Sequence, residues 1–268
     1  MRPGGAAFRA LAIEALRDTM RRRVGPFALA AGLLTLLVVQ RCSGAEHGTF
    51  WWNGMPVDPE AVARVLGPFL FALTALFLLA IVAFVSSDAL AAPLSDGTAL
   101  LWLARPVGRG SYAGARLAGA LALSAGMGAG VLAAAAWLLH LRHGLALGPG
   151  LAGVGAFLLG SVVVGALAMA LSLQLPRVVT LFGLLLWIQT VVGLNLAHLL
   201  GAPLPATGQW LERIGPPLGT ALLYAVSPWT SVALPWSGLV AVTLRLVLWA
   251  VGSVLLLLAA FRRLELAR

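Results

Sequence analysis

Long apolar runs separated by short polar stretches dominate this chain. Each run is close to the about 20 residues that a helix needs to cross the hydrocarbon core of a bilayer. None alternates apolar and polar residues over ten positions, as the strands of a transmembrane barrel do. We therefore predict an all-α membrane protein with one domain over residues 1–268. Its six spans are placed at residues 24–40, 65–85, 117–139, 151–173, 178–200 and 239–261.

The residues before the first span predict an amphipathic helix. Apolar residues from Phe8 to Met20 recur at helical spacing, and arginines occupy the other positions. A basic amphipathic helix beside a span usually lies in the membrane interface against anionic headgroups. We predict this for residues 1–23, which precede the bundle of residues 24–261, whereas residues 262–268 form a short basic tail. A solvated leader is the alternative for the first segment.

Composition adds two exclusions. Apolar residues make up 60% of the chain and charged residues 10%, whereas soluble domains have about 45–50% and about 25%. All 18 basic residues are arginine, so the chain lacks the lysine that a nucleotide-binding P-loop requires. The net charge of +9 does not indicate nucleic-acid binding, because the arginines lie beside the spans and not on a folded basic domain.

The arginines predict the orientation of the spans. If both termini are cytoplasmic, most arginines lie on the cytoplasmic side, and only Arg41, Arg64, Arg142 and Arg213 lie outside. This asymmetry follows the positive-inside rule. Tryptophans collect at the outer boundary in the same arrangement, as interfacial indoles do. They are Trp51, Trp52, Trp137, Trp210, Trp229 and Trp236.

The polar connection between spans two and three is the most informative segment for function. A short amphipathic helix is predicted over residues 96–104, with Ser95 as its cap and Arg105 as its end, because the residue before Pro106 is disfavoured in a helix. A helix this short cannot bury its apolar residues by itself, so a protein groove or the membrane surface must cover them. These residues are Leu100, Leu101, Trp102 and Leu103. A partner protein that supplies energy is one explanation, and a connector anchored in headgroups is the other.

The same segment carries a family resemblance. It reads Asp96-Gly97-Thr98-Ala99-Leu100-Leu101-Trp102-Leu103-Ala104-Arg105-Pro106-Val107-Gly108-Arg109, and Tyr112 and Arg116 follow. This resembles the permeases of ABC-2 type ABC transporters, in which an acidic residue, Gly-Thr, paired leucines, a proline and an arginine recur. Gly108 and Arg116 stand here where serine and lysine are commoner. The N-terminal amphipathic helix, the six spans and the basic tail extend the likeness over the chain.

The resemblance implies a subunit of a bacterial inner-membrane exporter. It would work as a homodimer or beside a similar permease, and a cytoplasmic ABC ATPase would bind ATP and Mg for it. The helix between spans two and three would then be the coupling helix, which docks on the ATPase. Its coupling residues would be Asp96, Gly97, Thr98, Leu100, Leu101, Trp102, Leu103, Arg105, Pro106 and Arg109. The chain itself would have no catalytic, cofactor or metal site, and its substrate stays open.

Three polar residues within or near the spans are candidates for a translocation path. Gln189 and Asn195 could line a path or bridge helices by hydrogen bonds, and Arg245 could contact substrate or extend its head towards the interface. The spans predicted above contain no acidic residue, which argues against a proton-driven carrier. Two other functions stay open, which are an accessory or assembly subunit without a pathway and a stand-alone carrier.

Glycine patterns and the last outer segment give further structural predictions. Gly148 to Gly153 match the letters of a dinucleotide-binding motif, but no strand precedes them, so we interpret them as a turn. Gly126 and Gly130 have the spacing of close helix packing, within the bundle or at a dimer contact. Between residues 201 and 235 we predict a re-entrant pair of short helices, at 209–214 and 218–226. His140 and His143 are interpreted as interfacial residues and not as metal ligands.

Overall fold

The computed structural model describes residues 5–21, 50–52, 55–57, 59–104, 108–199, 206–230 and 236–263, with single positions between 26 and 37. Most of the first predicted span, at 24–40, and the end of the basic tail lie outside these residues. The N-terminal helix α1 covers Gly5–Arg21. Strands β1 (Phe50–Trp52) and β2 (Met55–Val57) pair antiparallel, with Trp51 opposite Pro56. The hydropathy pattern did not predict this hairpin, because three-residue strands are too short to show alternation.

Long helices form the rest of the described chain. They are α2 (Pro59–Ser95), α4 (Arg109–His143), α5 (Leu147–Ser172), α6 (Arg177–Leu199) and α9 (Trp236–Arg263). Between them lie three short helices, α3 (Thr98–Leu103), α7 (Ala206–Ile214) and α8 (Leu218–Val226), and a single 3-10 turn over Ser227–Trp229. The prediction of two short helices between residues 201 and 235 is confirmed, whereas their re-entrant path stays a prediction.

Five helices in the described residues are long and apolar enough to cross a membrane. They comprise Gly67–Ser95, Arg109–His143, Leu147–Ser172, Arg177–Leu194 and Gly238–Arg263, which match predicted spans two to six. The helices of predicted spans two and three are longer than expected. Helix α2 continues ten residues past position 85, and α4 begins eight residues before position 117. Hydropathy detects only the apolar part of a helix. Here the helices continue past that part through Asp88 and Arg116, which form ion pairs.

Helix α5 lies at the centre of the bundle, between α2, α4, α8 and α9. Small residues let its neighbours approach closely. Gly128 of α4 faces the buried ring of Phe157, and Gly153 faces Phe71 of α2. The glycines that the sequence singled out on α4, Gly126 and Gly130, instead have open space where a Cβ would stand. Within the described residues nothing packs on these two glycines, so the alternative of a dimer contact stays a prediction.

The glycine-rich stretch from Gly148 to Gly153 is helical. It forms the first turns of α5 and not a separate turn, so the sequence prediction is corrected here. A Cβ at Gly150 would lie 2.5 Å from Cβ of Ala136 and 3.0 Å from the indole of Trp229. That indole donates a hydrogen bond of 2.7 Å to the Ala146 carbonyl, just before α5 begins. Gly150 therefore makes room for this junction.

Candidate functional site

The connection between α2 and α4 turns sharply at Gly97. The Asp96 N–H donates to the Ala92 carbonyl over 2.9 Å, and Gly97, at φ of 75°, ends the helical path in the left-handed region. The Ser95 hydroxyl donates back to the Ala92 carbonyl over 2.8 Å. Ser95 is thus the last residue of α2 and not the cap of the next helix. Helix α3 begins at Thr98, two residues after its predicted start, because a helix cannot continue through a left-handed residue.

Helix α3 divides its apolar residues between the bundle and the outside. Ala99 is fully buried, and Trp102 and Leu103 are half-buried against the core. Leu101 points away with 72% of its surface exposed, the largest fraction among the large exposed hydrophobic residues of the described chain. The Leu100 side chain and Arg105 and Pro106 lie outside the described residues, as does Val107. The exposed apolar face shown by this connection therefore centres on Leu101.

We expect Gly97→Ala to lower the thermal unfolding midpoint of the purified protein. Alanine has space at this position, since nothing lies within 4 Å of its Cβ, but the left-handed backbone costs a residue with a Cβ about 1–2 kcal/mol. The matched control is Gly108→Ala, whose φ of −65° suits any residue. Equal midpoints for the two variants would show that the left-handed turn does not contribute to stability.

Arg109 lies at the start of α4 and contacts the far end of the chain. Its guanidinium donates to the Arg262 carbonyl over 3.4 Å, and both residues are exposed. The last carbonyls of a helix have no partner within the helix, so Arg109 links α4 to the end of α9. The end of α2 and the start of α6 lie at the same end of the bundle. Asp88 of α2 and Arg177 of α6 form an ion pair of 2.9 Å there. We call this the α3 end of the bundle.

Asp88 corrects one sequence inference. It lies within the apolar helix Gly67–Ser95, whereas the predicted span ended at residue 85 and held no acid. The Arg177 guanidinium pairs with Asp88 and also lies 4.6 Å from the centroid of the Phe84 ring. A paired carboxylate near a helix end is compatible with a membrane boundary. The argument against a proton carrier therefore no longer follows from an absence of acids.

Arg116 joins three helices and is the site residue that the sequence analysis missed. Its side chain is 8% exposed. Nε donates to the Ala89 carbonyl of α2 over 2.8 Å, and a terminal nitrogen donates to a carboxylate oxygen of Asp18 of α1 over 2.7 Å. Pro93 lies four residues after Ala89 and has no N–H, so the helix itself cannot supply the Ala89 carbonyl with its usual donor. Arg116 supplies that donor.

Helix α1 packs on protein along its apolar face. Leu11, Ala15 and Thr19 are buried, and α4 meets α1 at Gly119, where a Cβ would lie 2.6 Å from Cβ of Ala15 and 2.7 Å from the Ala12 carbonyl oxygen. The amphipathic helix predicted from the sequence is confirmed, and its position in the membrane interface stays a prediction. Close approach through glycine lets α4 cover the apolar face. The exposed surface of α1 is mixed and comprises Phe8, Arg9, Ile13, Arg17, Met20 and Arg21.

The candidate path residues do not come together. Gln189 lines an open, otherwise apolar cleft of about 710 Å³ between α2 and α6, with Leu73 and Phe77 opposite. Arg245 lines a different cleft and donates to the Gly215 carbonyl over 2.6 Å. The Asn195 side chain lies outside the described residues. A single path lined by Gln189 and Arg245 of one chain is therefore not what this fold forms.

The fold defines the class of this protein as a multi-pass helical membrane protein. Neither a known protein-family model nor a curated protein matches its sequence. Among the described residues, no three histidine, cysteine or acidic side chains lie close enough together to hold a metal ion. His140 instead contacts the chain itself, with Nδ1 2.8 Å from the Leu145 carbonyl oxygen. The short helix α3 and the contacts around it are the features of this fold that bear most directly on function.

Proposed function

We propose that the chain is the permease subunit of an ATP-driven exporter of the ABC-2 type. The observation that carries the proposal is the short helix α3. It lies between the two long apolar helices α2 and α4 and exposes Leu101 at one end of the bundle. An exposed leucine on a short helix suits a groove on another protein. On this proposal α3 is the coupling helix, and a cytoplasmic ATPase subunit covers it.

The distribution of arginines supports a cytoplasmic α3 end. Most of the described arginines are at this end, whereas Arg64, Arg142 and Arg213 are at the other and Arg245 lies within α9. The arginines of the α3 end are Arg9, Arg17 and Arg21 of α1, with Arg109, Arg116, Arg177, Arg262 and Arg263. By the positive-inside rule this end faces the cytoplasm. We therefore propose a bacterial inner-membrane protein with both termini cytoplasmic.

The contacts of the α3 end suggest how motion would pass from a partner into the bundle. Helix α3 follows α2 after a two-residue turn, and Arg116 ties the last turns of α2 to α1 and α4. Arg109 ties α4 to the end of α9. A force on α3 would therefore act on four helices at once. Arg116 has a positioning role in this proposal, because it acts through the helices that it joins.

The remaining parts of the transporter would come from other chains. ATP and Mg would bind to the ATPase, since this chain has no lysine for a P-loop. A second copy, or a similar permease, would complete the assembly in the membrane. The open cleft beside Gln189 is the part of this chain that we propose to face the translocation path. Its apolar walls favour a substrate with an apolar part.

The test is the effect of Leu101→Asp on a complex with the ATPase subunit encoded beside this chain. Charge at a buried interface leucine should cost at least about 2 kcal/mol, which is roughly a thirtyfold loss of affinity. We expect the complex to dissociate on purification and the transport-coupled ATPase activity to fall with it. The matched control is Leu141→Asp, which changes a leucine of similar exposure, 64%, at the opposite end of α4.

Three outcomes would each count against the proposal. If the complex forms equally well with both variants, α3 is not the docking site. If no ATPase binds the wild-type chain, a stand-alone carrier becomes the better hypothesis. An ATPase that binds but is never stimulated by any substrate would indicate an accessory or assembly subunit.

A further inference from the structure

A narrow groove runs along α9 near the end of the bundle opposite α3. It has a volume of about 390 Å³ and is walled by Leu248, Trp249, Gly252 and Leu256 of α9. Helix α5 contributes Leu167, and the last turn of α7 contributes Arg213 and Ile214, while Arg245 closes the upper end. We call this the α9 groove.

The mouth of the α9 groove is cationic and held in place. Arg245 donates to the Gly215 carbonyl over 2.6 Å, and Trp249 Nε1 donates to the Ile214 carbonyl over 2.9 Å. Both hydrogen bonds are accepted by carbonyls at the end of α7. The last carbonyls of a helix have no N–H partner within that helix. The two hydrogen bonds fix the end of α7 against α9, so Arg213 in the last turn of α7 and Arg245 are found at the same mouth.

The groove has the depth of one bilayer leaflet. Helix α9 rises 1.5 Å per residue, which places Arg245 about 26 Å along the axis from Arg262. The hydrocarbon core is about 30 Å thick, so Arg245 comes close to one boundary when Arg262 is at the other. From Arg245 to Leu256 the groove extends about 16 Å. It therefore runs from near the headgroup region to past the middle of the bilayer.

We propose that the α9 groove binds one anionic phospholipid. The phosphate group lies between Arg213 and Arg245, and an acyl chain lies along the apolar wall from Leu248 to Leu256. Charge complementarity favours an anionic headgroup, because Arg213 and Arg245 both line the groove and arginine side chains near a membrane surface attract anionic lipids. The indole of Trp249 suits the boundary between headgroup and chain. This proposal does not depend on the transport function.

The experiment is native mass spectrometry of the full chain, purified in detergent and titrated with phosphatidylglycerol or phosphatidylcholine. Wild-type protein is expected to retain one phosphatidylglycerol in preference to phosphatidylcholine. Gly252→Leu places a side chain in the groove at a position where a Cβ has nothing within 4 Å, and is expected to abolish that retention. Arg213→Gln is expected to weaken it about fivefold, the factor that about 1 kcal/mol for one arginine at an anionic lipid surface represents.

The matched control is Gly155→Leu. Gly155 is an exposed glycine of α5 that also has open space at its Cβ but does not line the groove, so this variant should retain the lipid as the wild type does. Three results would each overturn the proposal. They are equal retention of the two lipids by the wild type, unchanged retention in Gly252→Leu, and displacement of the lipid by equimolar soluble glycerophosphate. The last result would mean that the apolar wall contributes nothing to binding.

Discussion

Gly128→Leu is expected to be the most destabilising single change in the bundle. A Cβ at Gly128 would overlap the ring of Phe157, which is fully buried between α4 and α5. Insertion of side-chain atoms into a packed core costs about 1–3 kcal/mol and occasionally more, and here the first added atom already overlaps a fully buried ring. We expect the upper end of that range or beyond, measured as a lower unfolding midpoint and a lower monodisperse yield in detergent.

Gly126→Leu provides the control for this prediction. It makes the same substitution two residues away on the same helix, where nothing lies within 4 Å of the Cβ. Glycine is less favourable than other residues within a helix by about 0.5–1 kcal/mol, so this variant should be as stable as the wild type or slightly more stable. Equal losses in the two variants would contradict the packing of Gly128 against Phe157.

Arg116→Ala is expected to destabilise the α3 end by about 2–4 kcal/mol. The change removes the donor to the Ala89 carbonyl and the ion pair between Arg116 and Asp18, whose side chain is 34% exposed. A buried acceptor without a donor costs about 1–3 kcal/mol, and the loss of one partner of a largely buried pair adds to that cost. The measurements are the unfolding midpoint in detergent and the rate at which protease cleaves within α1, which should rise.

A second substitution tests the mechanism of this effect. Pro93→Ala restores an N–H that can donate to the Ala89 carbonyl within α2. In that background Arg116→Ala should cost less than in the wild type, with an interaction energy within the range of about 0.5–3 kcal/mol seen for residues that share a partner. Additive losses would show that Pro93 and Arg116 do not share the Ala89 carbonyl. Arg17→Ala, at an exposed arginine of α1, should change neither measurement.

The Arg116 predictions concern one feature of the α3 end, which is that arginine side chains link its helix ends. Three of its links are made by arginine side chains, namely Arg109 to the end of α9, Arg116 to α1 and α2, and Arg177 to Asp88. A guanidinium has five donors in a rigid planar arrangement. It can therefore hold several helix ends in one geometry. If α3 transmits force from a partner, we expect the force to reach the other helices through Arg109, Arg116 and Arg177.

Prediction from the sequence was reliable for features that depend only on one helix and the solvent around it. The five apolar helices and the short helices α7 and α8 follow from hydrophobic runs and from proline and glycine positions. It was least reliable where a second helix changed the environment. Asp88 and Arg116 lie inside helices that were predicted to end before them or begin after them, because a sequence window contains no information on the ion pairs that make such extensions possible.

The choice of glycines on α4 shows the same limit. Gly126, Gly128 and Gly130 are separated by steps of two residues, and each step turns the side-chain direction by about 200° around the helix. Spacing alone favoured Gly126 and Gly130 as a packing pair. In the structure, Phe157 of α5 packs against Gly128 instead. Which face of a uniformly apolar helix is buried depends on its neighbour, and the hydropathy of α4 is too even to tell.

By itself the sequence determined the membrane class, the number and approximate places of the described apolar helices and the existence of a short helix at 98–103, because the bilayer imposes length and hydropathy on each segment separately. The tertiary structure alone decided that α1 packs on α4, that Leu101 is the exposed apolar residue of α3, and that Arg213 and Arg245 share a groove. These features arise from contacts between residues far apart in the chain, and no local pattern encodes such contacts.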